Sequence, residues 1–273
     1  MKVGILGCGT LGRALALGLR ADAAVSHIFA TTRGGRDALQ DLPGVTVSQD
    51  NRELVRACDV IVLCVKPFQV EDVVREIALE LRAGQVLVSI AASIATAQLR
   101  AWSQDRCPVV RAMPNTPCRV DEGMTVIASD GVADAHLGIA QALFKALGRT
   151  VLLEERLLDA ATAISGCGPA YAYLIIEALS DAGVRLGLPR KTALLLAAQT
   201  MLGSAKMVLE SETHPAALKD DVTTPAGCTI DALLVLENGK LRSTIMRAAI
   251  AAAERSATLG RAQPAPAFAD DGT

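Results

Sequence analysis

Residues 2–12, Lys-Val-Gly-Ile-Leu-Gly-Cys-Gly-Thr-Leu-Gly, constrain this chain more than any other stretch. A short apolar run ends in three glycines spaced G-x-G-x-x-G, and Arg13-Ala-Leu-Ala-Leu-Gly-Leu continues with helical spacing. Gly7 permits the tight turn after a strand, Gly9 lets backbone approach a ligand, and Gly12 lets the helix pack against that strand. The helix N-terminus offers N–H groups and a positive dipole to a pyrophosphate. Glycine turns are common, so the motif alone also fits a purely structural turn. In the order strand, glycines, helix it predicts a dinucleotide site.

The rest of the first half repeats that order. Residues 27–32, 59–65, 85–91, 108–115, 124–129 and 149–153 read as strands, and 52–57, 70–81 and 136–147 as helices. The run 59–65 is apolar at both parities, as a strand buried on both faces requires. This alternation predicts an α/β fold, a doubly wound parallel sheet of Rossmann type, over residues 1–154. From 155 to 262 the pattern is helical throughout and predicts an all-α C-terminal domain. Pro169 and Pro189 stand at or just before helix starts, where a missing N–H costs little. Residues 263–273, rich in Pro and Ala, are expected to be a disordered tail.

Several C-terminal helices, "TALLLAAQTML" above all, are apolar nearly all round, which predicts a homodimer through the helical domain. Lys and Arg total 27 against 29 Asp and Glu, so no strong field recruits nucleic acid or acidic membranes. No uninterrupted apolar run approaches the ~20 residues of a membrane helix, and no leader is apparent. The seven cysteines lack CxxC spacing, which suggests reduced thiols and a cytoplasmic location. His27, His136 and His214 are isolated, so no metal site is expected.

The end of the second strand reads Ala30-Thr31-Thr32-Arg33 and carries no carboxylate for a ribose 2′-OH. Hydroxyls and an arginine suit a 2′-phosphate, so NADPH is favoured over NADH, which stays admissible. Cys64-Val65-Lys66-Pro67 and Ser89–Ser93 end other strands at the ligand-binding edge of such a sheet. Backbone contact by 64–67 is favoured over proton transfer by Lys66. Asn115-Thr116, between two prolines, is either rigid scaffold or a direct contact.

A late segment, Asp220–Asn238, opens on Thr223-Thr224-Pro225-Ala226-Gly227-Cys228-Thr229. A helix starting there would present the amides of Gly227, Cys228 and Thr229, which can hold a small carboxylate without a basic side chain. An ordinary threonine N-cap is the alternative.

Gly7–Gly12 at the extreme N-terminus, "CVKP", "MPNTP", "SGCGPAY" and "LKDDVTTPAGCTIDALLVLENGKLR" occur in order over residues 1 to about 260. Together they resemble pyrroline-5-carboxylate reductases, the last enzymes of proline biosynthesis. The resemblance implies hydride transfer from NAD(P)H to the C=N carbon of 1-pyrroline-5-carboxylate. It implies that Gly7, Gly9, Thr10, Leu11 and Gly12 hold the pyrophosphate, Thr32 and Arg33 the 2′-phosphate, and Asn51 the adenosine half. Cys64, Val65, Lys66, Pro67, Ala91 and Ala92 would line the path to the nicotinamide. Thr224, Gly227, Cys228 and Thr229 would bind the substrate, with Thr229 Oγ1 on the ring nitrogen as the catalytic contact and Glu212 nearby. Such reductases dimerise through interleaved helical domains, and some build rings of dimers; the ring does not follow from this sequence. The usual Ser-Pro-Gly-Gly-Thr-Thr reads Thr224-Pro225-Ala226-Gly227-Cys228-Thr229 here, where Cys228 can still offer its amide and Thr229 keeps its hydroxyl. Ala226 replaces a glycine, so the loop is expected to avoid positive φ there, and Cys167 replaces a serine.

A 3-hydroxyacid dehydrogenase would join the same two kinds of domain but needs a placed lysine. Lys191, Lys206 and Lys219 are the candidates, and none has such a setting. A nucleotide-sensing module without turnover would need no Thr229.

Overall fold

The computed structural model describes residues 1–20, 22–32, 39, 42 and 44–261. Arg33 and the 263–273 tail lie outside the described residues.

Eight strands form one sheet in the order β3-β2-β1-β4-β5-β6-β7-β8. They are β1 (Lys2–Leu6), β2 (His27–Thr31), β3 (Val45–Ser48), β4 (Val60–Leu63), β5 (Val86–Ser89), β6 (Val109–Pro114), β7 (Gly123–Ala128) and β8 (Gly148–Leu153). The order reverses between β1 and β4, which is the switch point where such sheets bind ligands. Strands β1 to β6 are parallel; β7 pairs antiparallel with β6, and β8 runs parallel to β7. The expected doubly wound parallel sheet is present, with one antiparallel step between β6 and β7. The chain returns from β6 to β7 through the short turn 115–122, too short for the crossover that a parallel neighbour requires.

Alternation along each strand serves the two faces. On one face Val3, Ile5, Val60, Val62, Val86 and Val88 pack with Leu15 and Leu19 of α1 (Thr10–Leu19) and with Leu143 and Phe144 of α5 (Asp134–Lys145). On the other, Leu6, Ile61, Leu63 and Leu87 meet α2 (Asn51–Ala57), α3 (Val70–Ile77) and α4 (Thr96–Trp102). The strand at 45–48 and helix α4 were not anticipated. Both are short, and α4 has a single buried apolar residue, Leu99, so its periodicity is faint.

The chain divides into two compact units, Met1–Gly166 with the C-terminal end from Ala252, and Cys167–Ala251. Strand alternation ends at Leu153, but the next turns stay with the sheet. Leu158 of α6 (Leu158–Ala161) packs with Val126 and Ala128, and the Asn115 amide donates to Ser165 O at 3.0 Å. Helix α11 (Leu241–Arg261) ends in this unit as well, where Ser256 Oγ donates to Asp159 Oδ1 at 2.7 Å.

The second unit holds α7 (Gly168–Arg185), α8 (Arg190–Ser211), α9 (Pro215–Asp221), α10 (Cys228–Asn238) and the start of α11. Its buried positions on α7 and α8 are small: Ser180, Gly183, Ala193 and Ala197. A Cβ on Gly183 would stand 2.8 Å from Ala193 Cβ, so the two helices approach closely. Their large apolar side chains stay outside, Leu174 and Leu195 each 67% exposed, and Val235 of α10 is 70% exposed. A unit that buries its small residues and exposes its large ones presents the kind of apolar surface that a partner covers. Helix α8 is also long and apolar enough, by length and composition, to cross a membrane. Counting uninterrupted apolar runs missed it, because Gln199, Thr200 and Ser204 break the run.

All seven cysteines are free. Burial, with nearby Asp59, pushes the Cys58 thiol up to about 12, and burial raises Cys8 and Cys107 to about 11. In the unfolded chain these thiols ionise near pH 9, so above that pH the unfolded state binds fewer protons than the folded one. Their stabilisation is complete below pH 9 and is lost as pH rises toward 11–12. Denaturant titrations are expected to give a level midpoint from pH 7 to 8.5 and a falling one from pH 9 to 11. Cys58→Ala should flatten that fall by up to about 1.4 kcal/mol per pH unit, one proton's worth.

Candidate active site

The chain turns out of β1 at Gly7 with φ 85°. A Cβ there would lie 2.5 Å from Val65 Cγ1 and 3.0 Å from Val65 N, so only glycine fits between β1 and the end of β4. Gly7 and Cys8 donate their amides to Thr31 O, at 3.1 and 2.7 Å, fixing the turn against β2. Gly12 is held close, since its Cβ would stand 3.1 Å from Gly7 O and 3.2 Å from Ile5 Cγ2.

Gly9 is different. It is exposed, and a Cβ on it would meet nothing within 4 Å. It is the N-cap of α1, with no side-chain cap and no acidic residue in the first turn. The first bond of the ladder is Arg13 N–H to Gly9 O at 2.8 Å, so the amides of Thr10, Leu11 and Gly12 precede it. Free amides, an open glycine and no carboxylate at a helix N-terminus fit a dinucleotide pyrophosphate.

The other expected cofactor residues of this unit gather at the same sheet edge. Thr32 is half-buried directly after β2. Asn51 begins α2, behind an Asp50 cap that accepts from the Arg52 and Glu53 amides. Cys64 N–H donates to Leu6 O at 2.8 Å, and burial holds its thiol far above the ordinary range. Lys66 and Pro67 are exposed, with the Lys66 amide tied to Gln69 Oε1 at 3.3 Å. Ala91 is buried and Ala92 half-buried; the amide of the preceding Ile90 donates to Leu63 O. Asn115 acts as scaffold: Oδ1 accepts from Met124 N–H at 2.9 Å while the amide nitrogen reaches Ser165 O.

The sequence reading passed over one pair. Arg111, 9% exposed inside β6, donates to Glu155 Oε1 at 3.1 Å, and the Thr96 amide donates to the same oxygen at 2.8 Å. The signal was present, because an arginine within the apolar run Val109-Val-Arg-Ala-Met needs a buried counter-charge.

In the second unit, Thr224, Gly227, Cys228 and Thr229 share one turn. Gly227 N–H donates to Thr224 O at 3.1 Å, with Pro225 second in the turn and Ala226 third at φ 57°. The expectation that Ala226 avoids positive φ is overturned. A type II turn closes only with its third residue left-handed, and alanine accepts that at about 1–2 kcal/mol. A Cβ on Gly227 would crowd this turn, meeting Thr224 Oγ1 at 2.3 Å and Thr224 O at 3.1 Å. Gly227, not a threonine, is the N-cap of α10, and no side chain caps the helix. The amides of Cys228, Thr229 and Ile230 therefore open the helix; Cys228 is exposed and Thr229 half-buried. The one carboxylate in the first turn, Asp231, is also exposed. Glu212 ends α8 in a left-handed conformation, φ 53°, and is exposed.

The lysines of the dehydrogenase alternative are solvent-facing. Lys191 is exposed, Lys206 lies 3.5 Å from Glu210, and Lys219 lies 2.8 Å from Asp220. Among the described residues no group of three or more His, Cys, Asp or Glu could hold a metal ion.

A bare glycine-turn helix at the switch point of a doubly wound sheet, followed by a helical unit, defines a nicotinamide-dinucleotide oxidoreductase. Residues 2–93 match the family of NADP oxidoreductases described as coenzyme F420-dependent, and residues 155–259 match pyrroline-5-carboxylate reductase dimerisation. The chain is 41% identical to the pyrroline-5-carboxylate reductase of Arabidopsis thaliana, over 95% of this chain and 96% of that protein. Solved structures agree. The Coxiella burnetii pyrroline-5-carboxylate reductase superposes with TM-score 0.89 at 36% identity, and the Plasmodium falciparum pyrroline carboxylate reductase with NADP bound at 0.85 and 35%. Each alignment covers 95% of this chain and 98% of the other. The chain belongs to the pyrroline-5-carboxylate reductase family. Its dimerisation region contains the helices whose large apolar side chains stay exposed in one copy, which supports a homodimer.

Proposed function

We propose that this protein reduces 1-pyrroline-5-carboxylate to L-proline with NADPH, and that the turn before α10 binds the substrate. The observation that carries the site is the uncapped N-terminus of α10, where a tight Thr-Pro-Ala-Gly turn leaves the leading amides for a small carboxylate. Those of Cys228 and Thr229 take the carboxylate, beside Thr224; the Gly227 amide, expected to join them, is spent closing the turn on Thr224 O at 3.1 Å. Thr229 Oγ1 bonds the ring nitrogen, and the charge of Glu212 helps retain the protonated imine. Bound NADPH supplies the hydride for the C=N carbon. Positioning two bound molecules removes several kcal/mol of the barrier without a dedicated general acid.

On the cofactor side the amides of Thr10, Leu11 and Gly12 hold the pyrophosphate over the open Gly9, while the Gly7 and Gly9 amides are spent inside the turn on Thr31 O and Gly7 O. Thr32 and Arg33 meet the 2′-phosphate, which favours NADPH over NADH, and Asn51 meets the adenosine half. The backbone at Cys64–Pro67 and Ala91–Ala92 lines the path to the nicotinamide. The working assembly is a homodimer, with a ring of dimers as its larger form. The protein acts in the cytoplasm on a small molecule, without nucleic-acid or membrane partners.

One labelling experiment tests the substrate site. Cys228 is the exposed cysteine, the other six being buried or half-buried. Iodoacetamide modification of Cys228, followed by peptide mass spectrometry, is expected to slow when proline and NADP⁺ are present. In parallel, Thr229→Ala should lower kcat/KM for the imine at least about tenfold, the loss of one oriented bond, with NADPH affinity kept. Unprotected labelling together with unchanged Thr229→Ala kinetics would move the substrate elsewhere.

A further inference from the structure

A chain of side-chain hydrogen bonds runs from the glycine turn to the surface of α3. The Gly7 amide reaches Thr31 Oγ1 at 3.4 Å, and Thr31 Oγ1 donates to Asn51 Oδ1 at 2.9 Å. Asn51 Nδ2 donates to Glu76 Oε2 at 3.0 Å. Glu76 is held in turn, because Arg52 Nε donates to its backbone carbonyl at 3.1 Å. The polarity of this chain is forced. An ionised carboxylate only accepts, so the amide nitrogen of Asn51 must face Glu76 and its oxygen must face Thr31. Thr31 has a lone pair for Gly7 and its single hydrogen for Asn51. Turning the amide over would set its oxygen against the carboxylate.

Among the described residues two of Asn51's four hydrogen-bonding positions are thereby used, one N–H and one oxygen lone pair remaining. That residual pattern, one donor beside one acceptor, complements the N6-amino and N7 edge of adenine, which asparagine reads bidentately in other settings. Position agrees with this. Asn51 follows β3, whose Ser48 pairs with Thr31, whose own partner in β1 is Leu6, just before the glycine turn.

We propose that Glu76, which nothing above places at the site, is a positioning residue for the cofactor: it locks the Asn51 amide so that the site selects an adenine base. The inference rests on the reading that Asn51 meets the adenosine half, and the experiment separates the two. Kd is measured by the fluorescence of bound reduced nicotinamide, for NADPH and for its hypoxanthine analogue, whose 6-position is a carbonyl acceptor in place of an amino donor. The wild type is expected to prefer adenine about tenfold, as one bidentate contact allows. Glu76→Ala frees the amide to turn over, so the preference should fall toward unity. Glu76→Gln should lose it as well, because a glutamine amide can turn to donate to Asn51 Oδ1 and no longer fixes the polarity, whereas Glu76→Asp keeps an acceptor-only group and should retain part of it. Glu76 is exposed, so none of these changes threatens folding. A wild-type preference in Glu76→Ala, alongside a lost preference in Asn51→Ala, would overturn the role of Glu76 alone. A wild-type preference in Glu76→Gln would show that an acceptor-only partner is not needed and would overturn it too. Unchanged NADPH affinity in Asn51→Ala would remove the underlying reading.

Discussion

Replacing Gly227 with alanine is expected to lower kcat/KM for the imine about 100-fold or more while the protein folds and binds NADPH as before. The new Cβ would stand 2.3 Å from Thr224 Oγ1 and 3.1 Å from Thr224 O. The first atom ends a short side chain that can rotate, but the second is backbone and closes the turn. Relieving both contacts separates Thr224 from Gly227 and tilts the leading amides of α10 away from a common focus. Hydrogen bonds to a charged group contribute about 1.5–3 kcal/mol each, so misaligning two of them accounts for the predicted loss. The turn is exposed, and Gly227 is absent from the buried core, which is why stability should change little. Ala226→Gly supplies the contrast. It removes the left-handed strain of alanine at φ 57° and should retain at least wild-type activity. Steady-state kinetics and a denaturation curve on the two variants decide the matter. Equal, small effects at both positions would mean that the shape of this turn does not matter to catalysis.

The contrast between Gly227 and Ala226 also shows what the sequence could and could not disclose. The N-terminal glycines were legible because each answers a local demand: a turn, an open approach, a close helix–strand contact. The strands were legible because a sheet covered on both faces needs continuous apolar runs, as in Val60–Leu63. Ala226 was misread, since its φ is set by the closing hydrogen bond from Gly227 to Thr224, a contact between residues three apart that propensity does not see. The reversal of β7 was hidden for a similar reason. Residues 123–128 look the same in either direction, and only the short 115–122 connection, with Asn115 fastened at both ends, decides. Arg111 and Glu155 stand far apart in the chain, so their pairing required the fold. The apolar helices were readable as wanting a partner, but which faces stay bare depends on how tightly Gly183 and Ala193 bring α7 and α8 together.

Gly7 and Gly9 are two residues apart and should fail in opposite ways. Gly7→Ala adds a Cβ 2.5 Å from Val65 Cγ1 and 3.0 Å from Val65 N, at a φ of 85°. Backbone cannot yield as a side chain can, so the variant should lose about 2–4 kcal/mol of stability and unfold several degrees lower. Gly9→Ala meets nothing within 4 Å and should melt close to the wild type without ligand. Its cost appears only when the cofactor arrives, because the methyl occupies the surface that the pyrophosphate must approach. Ligand linkage makes this measurable. Cofactor at 100 times its Kd stabilises a protein by about 2.7 kcal/mol, and a 100-fold weaker site retains only about 0.4 kcal/mol at the same concentration. Thermal unfolding with and without NADPH should therefore show a large shift for the wild type and almost none for Gly9→Ala. If Gly9→Ala kept the full shift, the pyrophosphate would have to lie somewhere other than the start of α1. Since Gly7 and Gly12 are filled from inside the fold and Gly9 alone is left open, that outcome would leave the open position without a physical reason.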